Sequence, residues 1–467
     1  MRRAVICVFV VLLVILVGVT GCKTSTKTKV VPKKEALVLN STERILIVAP
    51  HPDDESLAPA GLIQKAISQD IPVKVVMMTT GDGYKHATEL NLHVLDPKPE
   101  DYRKLGEMRR LETLAAMRKL GLKDEDVTFL AFNDGSVNSL WGKNWDYDKL
   151  HLGLNGALES PYDFAYQPRS PYCGDQVVKE LTEIILDYGP TTIVFPSAED
   201  VHHDHWATNA FVQYTLAKEE FKVRELQYLV HRGRGWPTPL RLARKKELSI
   251  PHALQGIKVT WIWKPMSKSE EDLKEQALNS YNTQKIVAVG FLDAFVRENE
   301  LFMKYTIPDL VQVDNAPTLD SKGLPGQVAI DPNDDSLLDG PPKGGDLEVL
   351  WLFRDAKTLW LIGDVRNETN PDIIYALHIR YIKKDKVERL DVEVKDGKPT
   401  VPIYATNSIT EKIEIEHDEE TGRVAAKIPA DRLNNADYIM IDVETYKDQI
   451  DENHWLDRTA WQRIRIR

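Results

Sequence analysis

Ile45-Leu46-Ile47-Val48-Ala49-Pro50-His51-Pro52-Asp53-Asp54-Glu55 starts as an apolar run and ends crowded with ionisable groups. The first four residues read as a buried strand. A histidine and two carboxylates then fall within His51–Asp54, where that strand should end. Open α/β sheets bind their ligands at the carboxyl ends of strands. A second cluster, His202-His203-Asp204-His205, follows another apolar run at Thr192 to Phe195. The two clusters together supply the residue types of a metal site.

Outward from the first stretch, strand patterns alternate with helical ones. Val73 to Thr79 and Val127 to Phe132 read as strands. Ala58 to Ser68, Tyr102 to Leu120 and Cys173 to Tyr188 have helical spacing, the last two closed by Gly121 and Gly189-Pro190. A Rossmann-like, mostly parallel sheet with helices on both faces is the fold this alternation predicts. Asn138 to Cys173 is aromatic and irregular, which fits either a functional loop or an excursion packed on itself. Further helices are expected at Ser269 to Leu278, with Ser269 as N-cap, and near Leu292 to Tyr305.

Composition then shifts. Ala316 to Gly345 is dense in Pro, Gly, Asp and Ser and reads as a linker. Beyond Asp346 apolar residues recur with period two, as in Leu347-Val349-Trp351-Phe353 and Tyr375-Leu377-Ile379-Tyr381, with Asp396-Gly397 as a turn. This pattern predicts a smaller all-β, sandwich-like domain. Trp351, Trp360, Trp455 and Trp461 in it serve either as sandwich core or as platforms for sugar rings.

The composition is globular, with 42% hydrophobic and 28% charged residues in a 467-residue chain. A net charge of -11 argues against a nucleic-acid partner, which calls for a basic face. Arg2 and Arg3 precede an apolar run, Ala4 to Val19, that ends in Val19-Thr20-Gly21-Cys22. The pattern is that of a secretory signal, and the cysteine after Thr-Gly makes it resemble a bacterial lipoprotein signal, cleaved before Cys22 and lipidated there. A plain transmembrane anchor is the alternative, but the run is short for a span and an anchor needs no cysteine at that place. The lysine-rich stretch after Cys22 reads as a tether. The organisation expected is a signal peptide at 1–21, a tether at 22–43, an α/β domain at 44–315, a linker at 316–345 and a β domain at 346–467. Cleavage and lipidation would leave Cys173 alone, without an intramolecular disulfide partner. A Cys22→Ala form is expected not to incorporate palmitate; labelling at the wild-type level would contradict the lipidation reading.

A catalytic zinc takes three protein ligands and keeps a position open for water. His51 and Asp54 are three residues apart, so one turn aims both at one point, and His205 supplies a third ligand from the other strand end. Asp53 is then free to act as general base. His202, three residues before His205, would face the substrate carbonyl as an imidazolium that stabilises the oxyanion. Asp200 or Asp204 would orient a ligand histidine.

Pro50-His51-Pro52-Asp53-Asp54-Glu55 resembles the signature of the PIG-L/LmbE-like N-acetylglucosaminyl deacetylases, and His202-His203-Asp204-His205 resembles their second motif, usually His-Pro-Asp-His. Arg109-Arg110-Leu111-Glu112, Phe132-Asn133-Asp134-Gly135 and Leu278-Asn279-Ser280-Tyr281-Asn282-Thr283-Gln284 are similar to further family segments, in order. The resemblance runs from about Arg44 to Phe302. It implies Zn²⁺ held by His51, Asp54 and His205, with Asp53 as base and His202 as electrostatic partner. It also implies Asp134 and Arg109 as contacts to sugar hydroxyls. Their plainer roles are an ordinary turn for Asp134-Gly135 and an ion pair with Glu112 for Arg109. Two departures stand out: His203 replaces the usual proline, and Asp82 stands where the family often has Glu.

The expected activity is therefore zinc-dependent hydrolysis of the acetamide of an N-acetylated amino sugar, outside the cytoplasm, by a lipoprotein on a periplasmic or cell-surface membrane. A catalytically silent glycan-binding lipoprotein is the alternative, against which the complete set His51, Asp53, Asp54, His202 and His205 speaks. A zinc hydrolase acting on another acyl group is a third reading, between which fold does not choose.

Overall fold

The structure is a computed structural model that describes residues 32–466 apart from 234, 333–341, 384–385, 401–412, 434–435 and 448–454. The signal peptide, Cys22 and most of the expected tether lie outside the described residues. Eight strands form the first sheet: β1 (Lys33–Ala36), β2 (Ile45–Ala49), β3 (Val73–Thr79), β4 (Val127–Phe132), β5 (Thr192–Pro196), β6 (Arg224–Tyr228), β7 (Thr260–Pro265) and β8 (Asn299–Lys304). Their order across the sheet is β1-β7-β8-β6-β5-β2-β3-β4. The block β4-β3-β2-β5-β6 is parallel throughout. β8 runs antiparallel to both its neighbours, β6 and β7.

β2 pairs directly with β5, although much of the domain separates them in sequence. The chain leaves β2 towards β3 on one side and later re-enters at β5 on the other, so the strand order reverses between them. That is the crevice where doubly wound sheets bind ligands. The first ionisable cluster follows β2 and the second follows β5.

Alternation along the strands explains the two faces. Ile45, Ile47 and Ala49 join one apolar core, while Leu46 and Val48 join another on the opposite face. The first core is covered by α2 (Ala60–Ile67), α4 (Pro99–Lys119) and α8 (Lys268–Leu278), and the second by α6 (Gly174–Tyr188) and α7 (His203–Lys218). Short helices α1 (Asp54–Leu57) and α5 (Val137–Trp141) follow β2 and β4; α3 (Lys85–Leu92) and α9 (Asn282–Lys285) complete the set. The Asn138 to Cys173 excursion is packed on itself and on α7: Trp141, Trp145, Tyr162 and Tyr172 are buried, and Trp145 stacks on Phe211. Among the described residues no helix is long and apolar enough to cross a membrane.

The C-terminal part comprises two antiparallel-rich sheets. One is β10 (Gln327–Ile330), β11 (Leu347–Arg354), β12 (Thr358–Val365), β17 (Arg423–Pro429) and β16 (Glu414–Asp418), with β9 (Val311–Gln312) beside β11. The other is β15 (Lys398–Thr400), β14 (Lys386–Lys395), β13 (Ile374–Lys383), β18 (Tyr438–Tyr446) and β19 (Trp455–Arg458), with β20 (Gln462–Arg465) beside β18. Leu350, Leu352, Leu359, Leu361, Leu377 and Ile441 fill the space between the sheets. The second sheet is buried on its outer face as well, where Ile382, Met440 and Trp461 join the core over α7.

Several expectations change. Lys33–Ala36, placed in the tether, pairs with β7 as a parallel edge strand. The expected linker carries β10, and its Leu319 and Leu324 pack with Phe353 and Trp360. Apolar residues spaced among the Pro and Gly are what bring that segment onto the sandwich. Leu292 to Tyr305 is not a helix but a 3-10 turn, Leu292–Phe295, followed by β8. There Glu300 is buried with Lys274 at 2.8 Å and accepts the Gly61 and Leu62 N–H groups at the start of α2. The N-cap of α8 is Ser267 rather than Ser269, because Ser267 and Glu270 satisfy each other's backbone N–H groups in a capping box.

Candidate metal and active site

His51 and Asp54 leave the end of β2 through a tight turn in which the His51 N–H donates to Asp54 Oδ2 at 2.9 Å. His205 lies in the first turn of α7 and is fully buried. His51 Nδ1 is 3.3 Å from Asp54 Oδ2, His205 Nε2 is 3.1 Å from that same oxygen, and the two ring nitrogens are 3.3 Å apart. Three donor atoms thus form a near-equilateral triangle. Ligands held about 2.0–2.1 Å from a tetrahedral zinc are separated by about 3.3–3.4 Å. The donor set fits such an ion.

The far sides of both rings meet carboxylates. His51 Nε2 lies 3.1 Å from Asp204 Oδ2 and 3.1 Å from Asp134 Oδ1. His205 Nδ1 lies 3.1 Å from Asp200 Oδ2. Carboxylates there favour protons on His51 Nε2 and His205 Nδ1, which turns the lone pairs of His51 Nδ1 and His205 Nε2 into the triangle. Both sequence candidates for orienting a histidine are therefore used, one on each ring. The carboxylates are themselves fixed: Asp204 accepts the Gly135 and Val137 N–H groups, and Asp200 accepts those of His202, Val230 and His231.

Burial opposes charge on the two rings, but the carboxylates outweigh it. Asp134, Asp204 and Asp54 hold His51 well above its ordinary pKa, and Asp200 and Asp54 raise His205 to about 9. Burial also works against Asp54, yet His205 and His51 keep its carboxyl well below the usual range. A cluster that draws protons onto its rings is one in which a metal cation would displace protons on binding.

Three groups of donors converge among the described residues: His51, His202 and His205; Asp54, His205 and His231; and His51, Asp134 and Asp204; Asp53 belongs to none of them. Burial raises its carboxyl well above the usual range; Arg109 partly offsets this, and Asp54 and Glu55 add to it. Its φ of 130° is rare for any residue but glycine. Two residues hold it there: the Asp53 N–H donates to Glu55 Oε2 at 3.0 Å, and Arg109 Nη2 reaches Pro52 O at 2.6 Å and Asp53 Oδ2 at 3.5 Å. Glu55 in turn accepts from Tyr281, and burial lifts its pKa to about 7.

His202 caps α7, its Nδ1 accepting the Asp204 N–H at 3.2 Å. A ring that accepts at Nδ1 carries its proton at Nε2 when neutral. Burial, with His51, His231 and His205 nearby, holds its pKa well below the ordinary histidine value. The imidazolium expected from sequence is thus replaced by a neutral N–H donor.

Asp134 and Arg109, expected to contact substrate hydroxyls, are engaged inside the protein. Asp134 sits on His51 and accepts the Gly83 N–H at 3.1 Å. Arg109 is buried and also donates to Gly81 O at 2.9 Å, so a Cβ at Gly81, whose φ is +67°, would meet the guanidinium. Glu112 pairs with the Thr283 N–H and hydroxyl rather than with Arg109. Asp82 collects Asn133, Asn155, Tyr162 and the Asp134 N–H, tying the aromatic excursion to this edge of the sheet. His203 turns to Trp455, their ring centroids 4.1 Å apart, and joins none of the donor groups.

His231 was not singled out by sequence. It follows β6 on the same sheet edge, 4.8 Å from His205 and 5.1 Å from His202 by ring centroids, and stacks on Phe291. Its one signal is position: a histidine just past a strand adjacent to β5.

Residues 46–215, which hold both clusters, match the family model described as PIG-L, GlcNAc-PI de-N-acetylase. They form a PIG-L family domain. Over 95 residues the chain is 34% identical to the probable N-acetyl-alpha-D-glucosaminyl L-malate deacetylase 2 of Bacillus subtilis (strain 168), a match covering 19% of this chain and 40% of that protein. The chain thus spans less than half the length of this curated relative. Among solved structures, A40926 pseudoaglycone deacetylase Dbv21 is 17% identical with a TM-score of 0.38, covering 56% of this chain and 96% of that one. The N,N'-diacetylchitobiose deacetylase from Pyrococcus horikoshii is 18% identical with a TM-score of 0.33, covering 56% and 82%. β1 and the strands from β6 to β20 lie outside the PIG-L match.

Proposed function

We propose that this protein is a zinc-dependent N-deacetylase that hydrolyses the acetamide of an N-acetylated amino sugar. The observation that carries the reading is the triangle of His51 Nδ1, Asp54 Oδ2 and His205 Nε2, with Asp53 beside it, inside the PIG-L domain. A zinc ion held by these residues would acidify a water and polarise the amide carbonyl. Asp53, as carboxylate, takes the proton from the attacking water and delivers it to the departing amine. Its raised pKa suits a group that must both accept and return a proton. His202 Nε2–H donates to the carbonyl oxygen as negative charge builds there. Arg109 holds the Pro52–Asp53 backbone, and Asp134, Asp200 and Asp204 hold the ligand rings.

The similarity to a probable N-acetyl-alpha-D-glucosaminyl L-malate deacetylase supports this chemistry. We further propose that the enzyme works outside the cytoplasm, anchored through lipid at Cys22, which directs it to exported or surface sugars. The motif Val19-Thr20-Gly21-Cys22 is the support for this location.

The experiment is acetate release from a panel of N-acetylated amino sugars, beginning with N-acetylglucosamine, its oligomers and its glycosides. Release from at least one, with the free amine as co-product, is expected; amine production from other N-acyl sugars but never from acetylated ones would move the activity to another acyl group. Replacement of His202 by Ala is expected to lower kcat by about 10²–10³-fold. Zinc content in that variant should stay at the wild-type level. Loss of zinc would instead place His202 among the ligands.

A further inference from the structure

Helix α7 has two working faces in its first turn. His202 and His205 point to the donor triangle, whereas His203 and Trp206 point to the β domain. The His203 ring meets Trp455 edge-on, at 4.1 Å and 89°. The Arg458 guanidinium lies 3.9 Å from the Trp455 ring and 4.0 Å from the Trp206 ring. Trp206 Nε1 donates to Thr459 O at 3.1 Å. His203, Trp455, Arg458 and Trp206 therefore form one continuous run of ring contacts, anchored on two residues that flank Asp204 and His205 in sequence. Trp206, Trp455 and Arg458 are all buried. Arg458 also reaches Asn138 Oδ1 at 3.4 Å, on α5, the helix whose Val137 N–H fixes Asp204.

The first turn of a helix is its least secured part, since its N–H groups lack intrahelical partners. Here that turn carries a candidate ligand and the oxyanion donor, and both need placement to a fraction of an ångström. Within the PIG-L domain, Asp200 and Asp204 secure it from the sheet side. The opposite side is secured from β19 and the residue after it.

We propose that β19 is a positioning element of the metal site: Trp455 and Arg458 clamp His203 and Trp206 on either side of His205 and so fix the first turn of α7. The proposal rests on the reading of His51, Asp54 and His205 as metal ligands and not on any choice of substrate. It gives the appended sandwich a part in the chemistry that does not involve sugar binding.

The test is the zinc Kd, measured by competition with a chromogenic chelator on the full chain. Trp455→Ala and His203→Ala, each shown to be folded by circular dichroism, are expected to weaken zinc binding about 10–100-fold. The double variant should be no weaker than the weaker single, because both remove one contact. His203→Phe keeps the edge-on ring and should restore wild-type affinity. Arg389→Ala breaks the 3.0 Å ion pair with Asp146 elsewhere on the same domain contact; it should lower the unfolding temperature and leave the zinc Kd unchanged. If Trp455→Ala does not fold, the two His203 variants decide. Wild-type zinc affinity in His203→Ala, a His203→Phe as weak as the alanine form, or equal weakening by Arg389→Ala would each overturn the clamp. A wild-type chain that binds no zinc refutes the metal site itself, whereas one that binds zinc but releases no acetate leaves the clamp to be judged by Kd alone.

Discussion

Asp53→Asn is expected to lower kcat for acetate release by about 10²–10⁴-fold, the range of a lost general base. Zinc content should not change. Asn keeps the size of the side chain and a carbonyl oxygen for Arg109 Nη2, which lies 3.5 Å from Asp53 Oδ2, but it takes no proton from water. The backbone at this position is strained, with φ at 130°, and Arg109 and Glu55 hold it. Asn tolerates positive φ better than most residues, so the substitution should not unfold the turn. Metal analysis beside steady-state kinetics checks the prediction. A variant with wild-type kcat would remove Asp53 from the proton transfer, and one that lost zinc would make it a ligand.

The second large effect is expected at His205. His205→Ala should abolish stoichiometric zinc binding and, with it, activity. Its Nε2 is one corner of the triangle, and its other nitrogen is fixed by Asp200. Removing the ring takes one partner from each of two buried carboxylates, Asp54 and Asp200, so some loss of stability should accompany the loss of metal. Measured zinc per chain after dialysis, with an unfolding curve on the same sample, separates the two. Retention of one zinc per chain would exclude His205 from the ligand set.

Much of this site is legible in the sequence, for a geometric reason. His51 and Asp54 follow one strand and His205 follows another, and parallel strands deliver their ends to one edge. The strands that frame the site, β2 and β5, are continuous apolar runs because both faces of the sheet are covered, and such runs are readable without periodicity. β6 is harder: Arg224-Glu225-Leu226-Gln227-Tyr228 carries polar residues that find buried partners only in three dimensions, as Gln227 does with Asn209. With β6 hidden, His231 at its end was hidden as well. β8 falls inside the segment expected to be helical, and its Glu300 is satisfied in the interior by Lys274 and two backbone N–H groups, which no linear pattern shows.

Roles were less legible than positions. The resemblance implies Asp134 and Arg109 as substrate contacts, yet each is engaged by a protein group. The charge state of His202 follows from its crowding by His51, His205 and His231, which no linear spacing reveals. The tryptophans of the β domain show the same limit. Trp455 and Trp461 face the α/β domain, where Trp461 meets Trp141 and Trp206, and Trp360 stacks on Phe353. These three pack on protein side chains, Trp455 and Trp461 at the contact with the α/β domain rather than inside the sandwich.

The central claim is that His51, Asp54 and His205 bind one catalytic metal ion for N-deacetylation. The most direct measurement is acetate release from the best substrate of the panel while zinc is titrated into chelator-stripped protein. Activity should be absent in the stripped protein and rise in proportion to zinc until one equivalent per chain is bound. Acetate release that persists undiminished in the stripped protein, or that stays absent for every N-acetylated sugar once one equivalent is bound, would contradict it.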